Sequence, residues 1–509
     1  MAGNSLVVNV DIADTRVALI ENGVIAELYI ERKNQRSVVG NIYLGVVTRV
    51  LPGMQAAFVD VGLDRAAFLH VEDAIRPEDF AALVPGDETE GEEGNGSGGK
   101  HARRRVTRAT PIRDVLKEGQ DIFVQISKEP LGTKGARATS HVSLPGRHVV
   151  YMPTARSTGI SRRIGSDKER ARLKTLLEEL KPPTGGFIVR TVAEGLSEEL
   201  IRADVDYLTN LWADICKRRE KARAPSLVYS DLDLVLRVAR DLFTPDVEKL
   251  VLDDAAAYQK LCTFVAKFMP ERRHEVSLYE GDEPIFDAYG IEEEIARALA
   301  KKVHLPSGGY LVIDQAEALT AIDVNTGRFV GSGSVEETIL KTNIEAVSEV
   351  AYQLRFRNLG GLIIIDFIDM ERPRNRDKVY KALVAALRND KARTTTVRIS
   401  ELGLVEMTRK RTRESLERTL HEPCFYCEGT GQILSRAAVA QEIFRQMRRE
   451  KDRLEGYTIF VNAHPAVVDH MEREDKESVA EAQRRYQRNI VLKARQDYHL
   501  EQFDIQGKS

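Results

Sequence analysis

Two short apolar segments each end in acidic side chains. One contains Ala321-Ile322-Asp323, and the other contains Ile364-Ile365-Asp366. Ligand sites of open α/β sheets lie beyond the carboxyl ends of strands, so Asp323 and Asp366 converge there if the two strands are neighbours. Close carboxylates repel each other unless a cation or proton lies between them, and oxygen ligands select Mg²⁺. We therefore predict a magnesium site for phosphodiester hydrolysis; the alternative is that these aspartates, and Asp369 likewise, cap turns.

Cys424 and Cys427 have the spacing of a pair of zinc ligands. A closed zinc site needs four ligands, whereas Cys216 and Cys262 lie in segments with a helical pattern and are interpreted as core residues. We expect two copies of the chain to complete the site, each giving one pair. The alternatives are a bare turn and a redox pair, although no thioredoxin-like βαβ pattern is expected around the motif.

Apolar periodicity predicts the elements that position these groups. Residues 5–32 alternate like two strands, with Asn22-Gly23 at the turn. The stretch from Gly308 to Met370 has the order strand, helix, strand of a buried α/β sheet. Helices are predicted over 166–180, 197–223, 250–268 and 335–355, and strands over 310–314, 318–324 and 361–366.

Composition excludes several classes of protein. The chain has 509 residues, 42% hydrophobic and 30% charged, and a net charge of −3, which argue against a disordered tail and against a uniformly cationic nucleic-acid coat. Four cysteines are too few for a disulfide framework in so long a chain. No signal peptide and no apolar run of ~18 residues is evident, so we expect a cytoplasmic protein without a membrane span.

Linked motifs resemble the ribonuclease E/G family over nearly the whole chain. They are Asp323-Val-Asn325, Gly361-Leu-Ile-Ile-Ile-Asp366-Phe-Ile-Asp369-Met and Cys424-Phe-Tyr-Cys427-Glu-Gly-Thr-Gly431. The resemblance implies that Asp323 and Asp366 hold a catalytic Mg²⁺ and that Asn325 supports the site by hydrogen bonding. It also implies that Zn²⁺ on the cysteine pair joins two protomers, with dimer or tetramer left open.

The resemblance implies an endoribonuclease that cleaves single-stranded, A/U-rich RNA and acts in rRNA 5′-end maturation and mRNA decay. Hydrolysis by a metal-bound water would leave a 5′-phosphate and a 3′-hydroxyl. Two other interpretations stay open: a non-catalytic S1-type RNA-binding factor, which needs no carboxylate pair, and a redox-regulated scaffold that uses Cys424 and Cys427.

Residues 40–70 resemble an S1 RNA-binding domain, which is an OB-type barrel. Such barrels stack bases on aromatic side chains beside cationic groups. The resemblance places Phe58 and Phe68 at the stacking positions and Lys134 next to them. From the sequence alone, a phenylalanine on a strand is more often a core residue.

A second RNA contact is suggested by Arg190-Thr191, because an arginine fork beside a hydroxyl suits a terminal phosphate. The alternative is a solvated surface pair. The resemblance assigns them to a sensor of the RNA 5′-monophosphate, together with Gly146, Val150, Arg162 and Arg393. Faster cleavage of 5′-monophosphorylated RNA is therefore expected.

The expected fold class is a multidomain α+β and α/β protein. Its parts are an RNase H-like domain (1–36 and 236–298), an S1 barrel (37–140) with a charged insert (87–112), a 5′-sensor region (141–235), a DNase I-like catalytic domain (299–420), a zinc link (421–433) and a small C-terminal α+β domain for dimerisation or tetramerisation (434–509). The insert is acidic, then glycine-rich, then basic, and is expected to be a solvated loop. Whether it adds phosphate contacts or masks them is left open.

Overall fold

The computed structural model describes residues 3–34, 36–75, 110–130, 134–155, 158–182, 185–327, 334–411, 413–451 and 453–508. The chain divides into two compact units, Met1–Ser415 and Leu416–Ser509, and each is described by itself. Most of the charged insert expected at 87–112 lies outside the described residues, which resume at Thr110.

The strands are numbered in chain order: β1 (Asn4–Val10), β2 (Asp14–Glu21), β3 (Val24–Arg32), β4 (Ile42–Leu51), β5 (Ala56–Asp60), β6 (Ala67–His70), β7 (Asp121–Lys128), β8 (Arg137–Thr139), β9 (Leu144–Pro145), β10 (Val149–Met152), β11 (Gly159–Ile160), β12 (Gly186–Val189), β13 (Ser226–Tyr229), β14 (Val247–Leu252), β15 (Val276–Leu278), β16 (Lys302–His304), β17 (Tyr310–Gln315), β18 (Leu319–Asn325), β19 (Gly361–Asp366), β20 (Thr394–Thr396), β21 (Leu404–Arg409), β22 (Thr458–Ala463), β23 (Asn489–Ala494) and β24 (Phe503–Lys508).

The helices are numbered in the same way: α1 (Asp167–Leu180), α2 (Glu198–Lys221), α3 (Leu234–Leu242), α4 (Ala255–Phe268), α5 (Ile285–Ala288), α6 (Ile291–Leu299), α7 (Val335–Phe356), α8 (Pro373–Ala386), α9 (Leu416–Leu420), α10 (Arg436–Glu450), α11 (Pro465–Arg473) and α12 (Lys476–Tyr486). None of the helices in the described part of the chain combines the length and the apolar character that a membrane span requires.

Two distant segments of the chain build the N-terminal sheet, which has the strand order β15-β14-β1-β2-β3. The predicted hairpin at Asn22-Gly23 is confirmed between β2 and β3, and both turn residues have positive φ (53° and 82°). The expectation of only two strands in residues 5–32 is wrong. A turn after Val10, closed by the Asp11 N–H donating to the Asp14 carbonyl (2.9 Å), separates β1 from β2.

The helix predicted over 250–268 is wrong at its start. Residues up to Leu252 belong to β14, which pairs in parallel with β1, and Asp254 caps α4 by accepting the Ala257 N–H (2.7 Å). An apolar run as short as Leu250-Val251-Leu252 fits a buried strand and a buried helix equally well from periodicity alone. The other predicted helices match α1, α2 and α7 to within two residues.

The barrel contains five strands in the cyclic order β4-β5-β6-β8-β7, and the pairing of β7 with β4 closes it. It is S1-like in this respect, and β13 adds to β4 outside the ring. A smaller sheet, β11-β12-β10-β9, shares one apolar core with α1 and α2.

The sheet that carries the acidic strand ends has the order β16-β17-β18-β19-β21-β20. Its strands β17, β18 and β19 match the predictions for 310–314, 318–324 and 361–366. Alternate residues such as Ile322 and Ile363 are fully buried in one core with α7 and α8. The intervening residues point to the opposite face, which we call the open face, and many of them are exposed.

The C-terminal unit contains the sheet β23-β22-β24. The expectation that no βαβ pattern lies near the cysteine pair is wrong, because β22 and β23 are parallel and are connected through α11 and α12. The apolar faces of α10 and α11 pack in one core with β22.

Candidate active site

The structure brings Asp323 and Asp366 together. They lie at the carboxyl ends of β18 and β19, which are parallel neighbours, and the two residues are direct partners in the register. Their positions follow from the strand pattern, because Ile322 and Ile365 point into the core and the next residue of each strand must point to the open face. Two aspartates 43 positions apart therefore lie side by side (366 − 323 = 43).

Hydrogen bonding and charge distinguish the members of this site. The Asn325 side-chain N–H donates to Asp323 Oδ2 (2.8 Å), which fixes one carboxylate oxygen. Partial burial, and then the negative charges of Asp323 and Asp369, raise the pKa of Asp366 above its usual value. The carboxylates line a pocket of about 510 Å³ whose other wall includes Leu402 and Leu404.

The turn after β19 is held by two side chains of α7. Asn343 is completely buried, donates to the Ile368 carbonyl (2.9 Å) and accepts the Ile368 N–H (3.1 Å). Glu336, in the first turn of the helix, accepts the backbone N–H groups of Glu371 (3.4 Å) and Arg372 (3.2 Å). These contacts fix the backbone between Asp366 and α8. Neither residue is predictable as a support of the site from the sequence, because a polar residue on a helix gives no sign of a bond to a distant turn.

The donor set of the pocket fits a hard divalent cation. It offers carboxylate and amide oxygens, and the pKa of Asp366 is raised first by partial burial and then by the charges of Asp323 and Asp369, whose repulsion a cation would relieve. Within the described ranges, no three His, Cys, Asp or Glu side chains are arranged to hold a metal ion. Two carboxylates are nevertheless sufficient for Mg²⁺, which keeps several waters and takes substrate oxygens as further ligands.

Cys424 and Cys427 lie in a turn of the C-terminal unit, and neither forms a disulfide. The Gly431 N–H donates to Cys427 Sγ (3.3 Å), and this bond, followed by one from Gly429, lowers the pKa of the Cys427 thiol. The thiolate is the form that binds metals. Among the described residues, no third His, Cys, Asp or Glu side chain is clustered with this pair.

Phe58 and Phe68 are direct partners on β5 and β6 and form a half-buried aromatic pair. Their ring centroids are 6.1 Å apart with an interplanar angle of 71°. Lys134 is exposed and lies two residues before Ala136, whose carbonyl accepts the Phe68 N–H (2.7 Å). The barrel thus carries its aromatic pair on a partly accessible surface with a lysine close by.

Arg190 and Thr191 follow directly after β12. The Arg190 guanidinium donates to the Gly146 carbonyl (2.8 Å) and to Asp241 Oδ1 (2.7 Å). The Thr191 hydroxyl is 3.0 Å from the Ser161 hydroxyl, which places Thr191 beside the turn that carries Arg162.

Val150 lies on β10, next to β12. Arg393 precedes β20, and no hydrogen bond or ion pair among the described residues joins it to this group. Hydrogen bonds and strand pairing therefore bring Gly146, Val150 and the turn that carries Arg162 next to Arg190 and Thr191.

Two acidic residues of this region were missed by the sequence analysis. Asp204, 1% exposed, accepts the backbone N–H groups of Arg147, His148 and Val149, and so shapes the segment after Gly146. Its position within the apolar stripe of α2 was a signal that the sequence did offer. Asp241 pairs with Arg190; burial opposes its ionisation, but the Arg240 hydrogen bond and the neighbouring guanidinium charges outweigh that and lower its pKa.

The chain matches two family models. Residues 143–412 match the model described as Ribonuclease E/G family, and residues 423–508 match RNase E/G, Thioredoxin-like domain. The chain is 44% identical to ribonuclease G of Haemophilus influenzae, over 98% of both chains. It is 43% identical to ribonuclease G of Escherichia coli K12, over 98% of this chain and 99% of that one. It is 35% identical to ribonuclease E of Haemophilus influenzae, over 97% of this chain and 50% of that one.

Proposed function

Because the chain belongs to the ribonuclease E/G family, we propose that it is an endoribonuclease of the ribonuclease G type that hydrolyses single-stranded RNA. The observation that carries the proposal is the direct register pairing of Asp323 with Asp366 at the ends of two parallel strands. Relatives of almost equal length that are named ribonuclease G support the same reaction class.

We assign the catalytic Mg²⁺ to Asp323 and Asp366. These two carboxylates would hold the ion, which would supply Lewis-acid chemistry for in-line hydrolysis of the phosphodiester, with a 5′-phosphate and a 3′-hydroxyl as the expected ends. Asn325 holds the Asp323 carboxylate in one orientation through its 2.8 Å hydrogen bond. Partial burial and then the charges of Asp323 and Asp369 raise the pKa of Asp366, and the positive charge of the ion would favour its ionised form.

The barrel is proposed to select unpaired RNA; the preference for A/U-rich RNA rests on the family resemblance alone. Each base stacked on an aromatic ring contributes about 1–3 kcal/mol, and duplex bases are not available for stacking. Phe58 and Phe68 provide the rings, and Lys134 provides a cation for the adjacent backbone. Their partial exposure supports this role over that of core residues.

A 5′-monophosphate is proposed to stimulate cleavage by binding Arg190 and Thr191, in a pocket shaped by Gly146 and Val150 with help from Arg162 and Arg393. Asp241 already holds the Arg190 guanidinium in place. The test compares matched RNAs that differ only in the 5′ end; equal cleavage rates for the monophosphate and the triphosphate would remove this part of the proposal.

Zn²⁺ shared through Cys424 and Cys427 is proposed to join two protomers, which leaves both dimer and tetramer open. We further assign the N-terminal sheet to an RNase H-like domain and the sheet bearing Asp323 to a DNase I-like domain. The expected cellular roles are rRNA 5′-end maturation and mRNA decay in the cytoplasm. The competing functions are an S1-type RNA-binding factor and a redox-regulated scaffold.

The decisive experiment incubates the purified protein with a 5′-monophosphorylated, A/U-rich oligonucleotide, with Mg²⁺ and with EDTA. Asp323→Asn and Asp366→Asn are each expected to abolish cleavage. Asp314→Asn is the matched control, because Asp314 is an exposed carboxylate of β17 on the same open face and pairs with Lys301. Cleavage that persists in either site variant contradicts the assignment, and binding without any cleavage supports the RNA-binding factor.

A further inference from the structure

The open face of the sheet carries a second group of side chains beside the carboxylates. The register pairs Lys302 with Val312 and Val312 with Asp323, so these residues form one row across the strands. The next row contains His304, Tyr310 and Asn325. Directly paired residues of antiparallel strands point to the same face, and therefore both rows share the face of Asp323.

Within these rows, Lys302 is a cation without a carboxylate partner. Its ammonium lies 3.7 Å from the centre of the Tyr310 ring, and no ion pair joins it to another described residue. The neighbouring Lys301, by contrast, pairs with Asp314 (3.2 Å). Both Lys302 and His304 are exposed, and the His304 ring meets the Tyr310 ring edge-on at 6.3 Å.

The position of this ammonium is suited to a polyanion that reaches the carboxylates. An aromatic ring below a lysine stabilises the charge and restricts the flexible side chain, so less freedom is lost on binding. β16 is two strand spacings, roughly 10 Å, from β18. An RNA strand whose scissile phosphate lies at Asp323 and Asp366 must pass over adjoining parts of the open face, where exposed carboxylates would otherwise repel it.

We propose that Lys302 binds a backbone phosphate of the RNA strand next to the scissile phosphate, and that Tyr310 is the residue that positions its ammonium. This inference rests on the proposed endoribonuclease function and adds a substrate contact to it. A lysine acts on phosphate as a point charge, so the contact adds affinity and sets the path of the strand without selecting a base.

The test measures the affinity of a fluorescent single-stranded oligonucleotide by anisotropy, in EDTA and over a range of KCl concentrations. Removing one phosphate contact from a single-stranded complex lowers the slope of log K against log salt by about 0.7. We expect that change in Lys302→Gln, for every oligonucleotide sequence. Lys381→Gln is the matched control, because Lys381 is exposed on α8, which covers the other face, and pairs with Asp377.

Tyr310 is tested by Leu and Phe variants. Tyr310→Leu is expected to lose part of the affinity and of the salt dependence, whereas Tyr310→Phe, which keeps the ring face, is expected to retain both. A role in folding alone would lower the melting temperature without changing the salt slope. Equal losses in the Leu and Phe variants would overturn the positioning role.

A scan with neutral methylphosphonate linkages identifies the phosphate. One linkage near the cleavage position is expected to weaken binding of the wild-type protein and to have no effect on Lys302→Gln. If every methylphosphonate linkage weakens binding equally in the wild type and in Lys302→Gln, Lys302 contacts no phosphate. The same conclusion follows if the two proteins have the same slope of log K against log salt. A wild-type protein that binds RNA but never cleaves it contradicts the proposed function instead, so the two failures are distinguishable.

Discussion

At the scale of the residue, the carboxylates of the candidate site destabilise the folded state as well as provide possible metal ligands. Asp366 is held near two other carboxylates, and its raised pKa shows that the ionised form is disfavoured in the folded state. The folded state binds the Asp366 proton more tightly than the unfolded chain does, so ionisation of this group lowers the free energy of unfolding. The loss is complete above the pKa of the folded state, and it vanishes below the unfolded pKa near 3.8.

Asp366→Asn is therefore expected to stabilise the metal-free protein at pH 7, and to lose this advantage as the pH falls through the folded pKa of Asp366. The gain should be below about 1 kcal/mol, because the group is largely solvated. Thermal unfolding in EDTA across pH measures it. Mg²⁺ should raise the melting temperature of the wild type more than that of the variant; a variant less stable than the wild type at pH 7 would contradict the argument.

Asn325→Ala is expected to lower activity or Mg²⁺ affinity by about 10–100-fold, the usual effect of removing a group that orients a metal ligand. The reason is that Asp323 Oδ2 loses the donor that fixes it. Cleavage rates over a titration of MgCl₂ measure the effect. Unchanged rates at every concentration would show that Asn325 has no part in the site.

The sequence was sufficient to predict that Asp323 and Asp366 each end a strand and that the two strands could be neighbours, because both aspartates follow short apolar segments. It was insufficient for Asp204 and Asn343, whose bonds go to backbone groups of distant segments. The partners of such contacts are set by tertiary packing, so even Asp204, which interrupts the apolar stripe of α2, could not be matched to its distant segment from the sequence.

At the scale of the element, α7 packs against the sheet and also positions the turn that follows Asp366. Its apolar residues pack on the core face, and its polar residues Glu336 and Asn343 hold the turn that follows Asp366.

Hydrophobic periodicity predicts long elements better than short ones. The strand-helix-strand order around α7 was predictable, whereas β14 was predicted as part of a helix because a short apolar run has no distinctive period.

Asn343→Leu keeps the number and branching of the side-chain heavy atoms and removes both hydrogen bonds to Ile368. We expect the Mg²⁺ concentration for half-maximal cleavage to rise by about 10–100-fold, because the turn no longer holds Asp366 in register. Thr342→Val is the control: it is equally buried on the same helix, but its hydroxyl bonds only to the Thr338 carbonyl. Similar Mg²⁺ curves for the two variants would exclude a positioning role for Asn343.

At the scale of the whole molecule, the proposed assembly depends on an exposed turn. In the proposal, Cys424 and Cys427, of which Cys427 has a lowered pKa, would give two of the four ligands of a tetrahedral zinc site, and a second copy of the chain would give the other two. No pattern within a single sequence distinguishes this from a redox pair, because both use the same spacing.

Removal of zinc with a strong chelator is expected to convert the assembly to smaller species, and Cys427→Ser should do the same without a chelator. Sedimentation velocity and bound-zinc analysis measure both. Cys262→Ser is the control, since Cys262 is buried in the N-terminal core. An oligomer that survives chelation, or that dissociates only under reducing agents, would favour the redox interpretation.

The N-terminal sheet also dictates an order of events during synthesis. β1 pairs with β14, so the parallel neighbour of the first strand emerges from the ribosome only after the barrel and α2 have been made. At ~5–20 residues per second this delay is roughly 10–50 s. The nascent chain must keep one edge of its first hairpins unpaired for that time, while the barrel, whose strands are complete long before, has everything it needs to fold first.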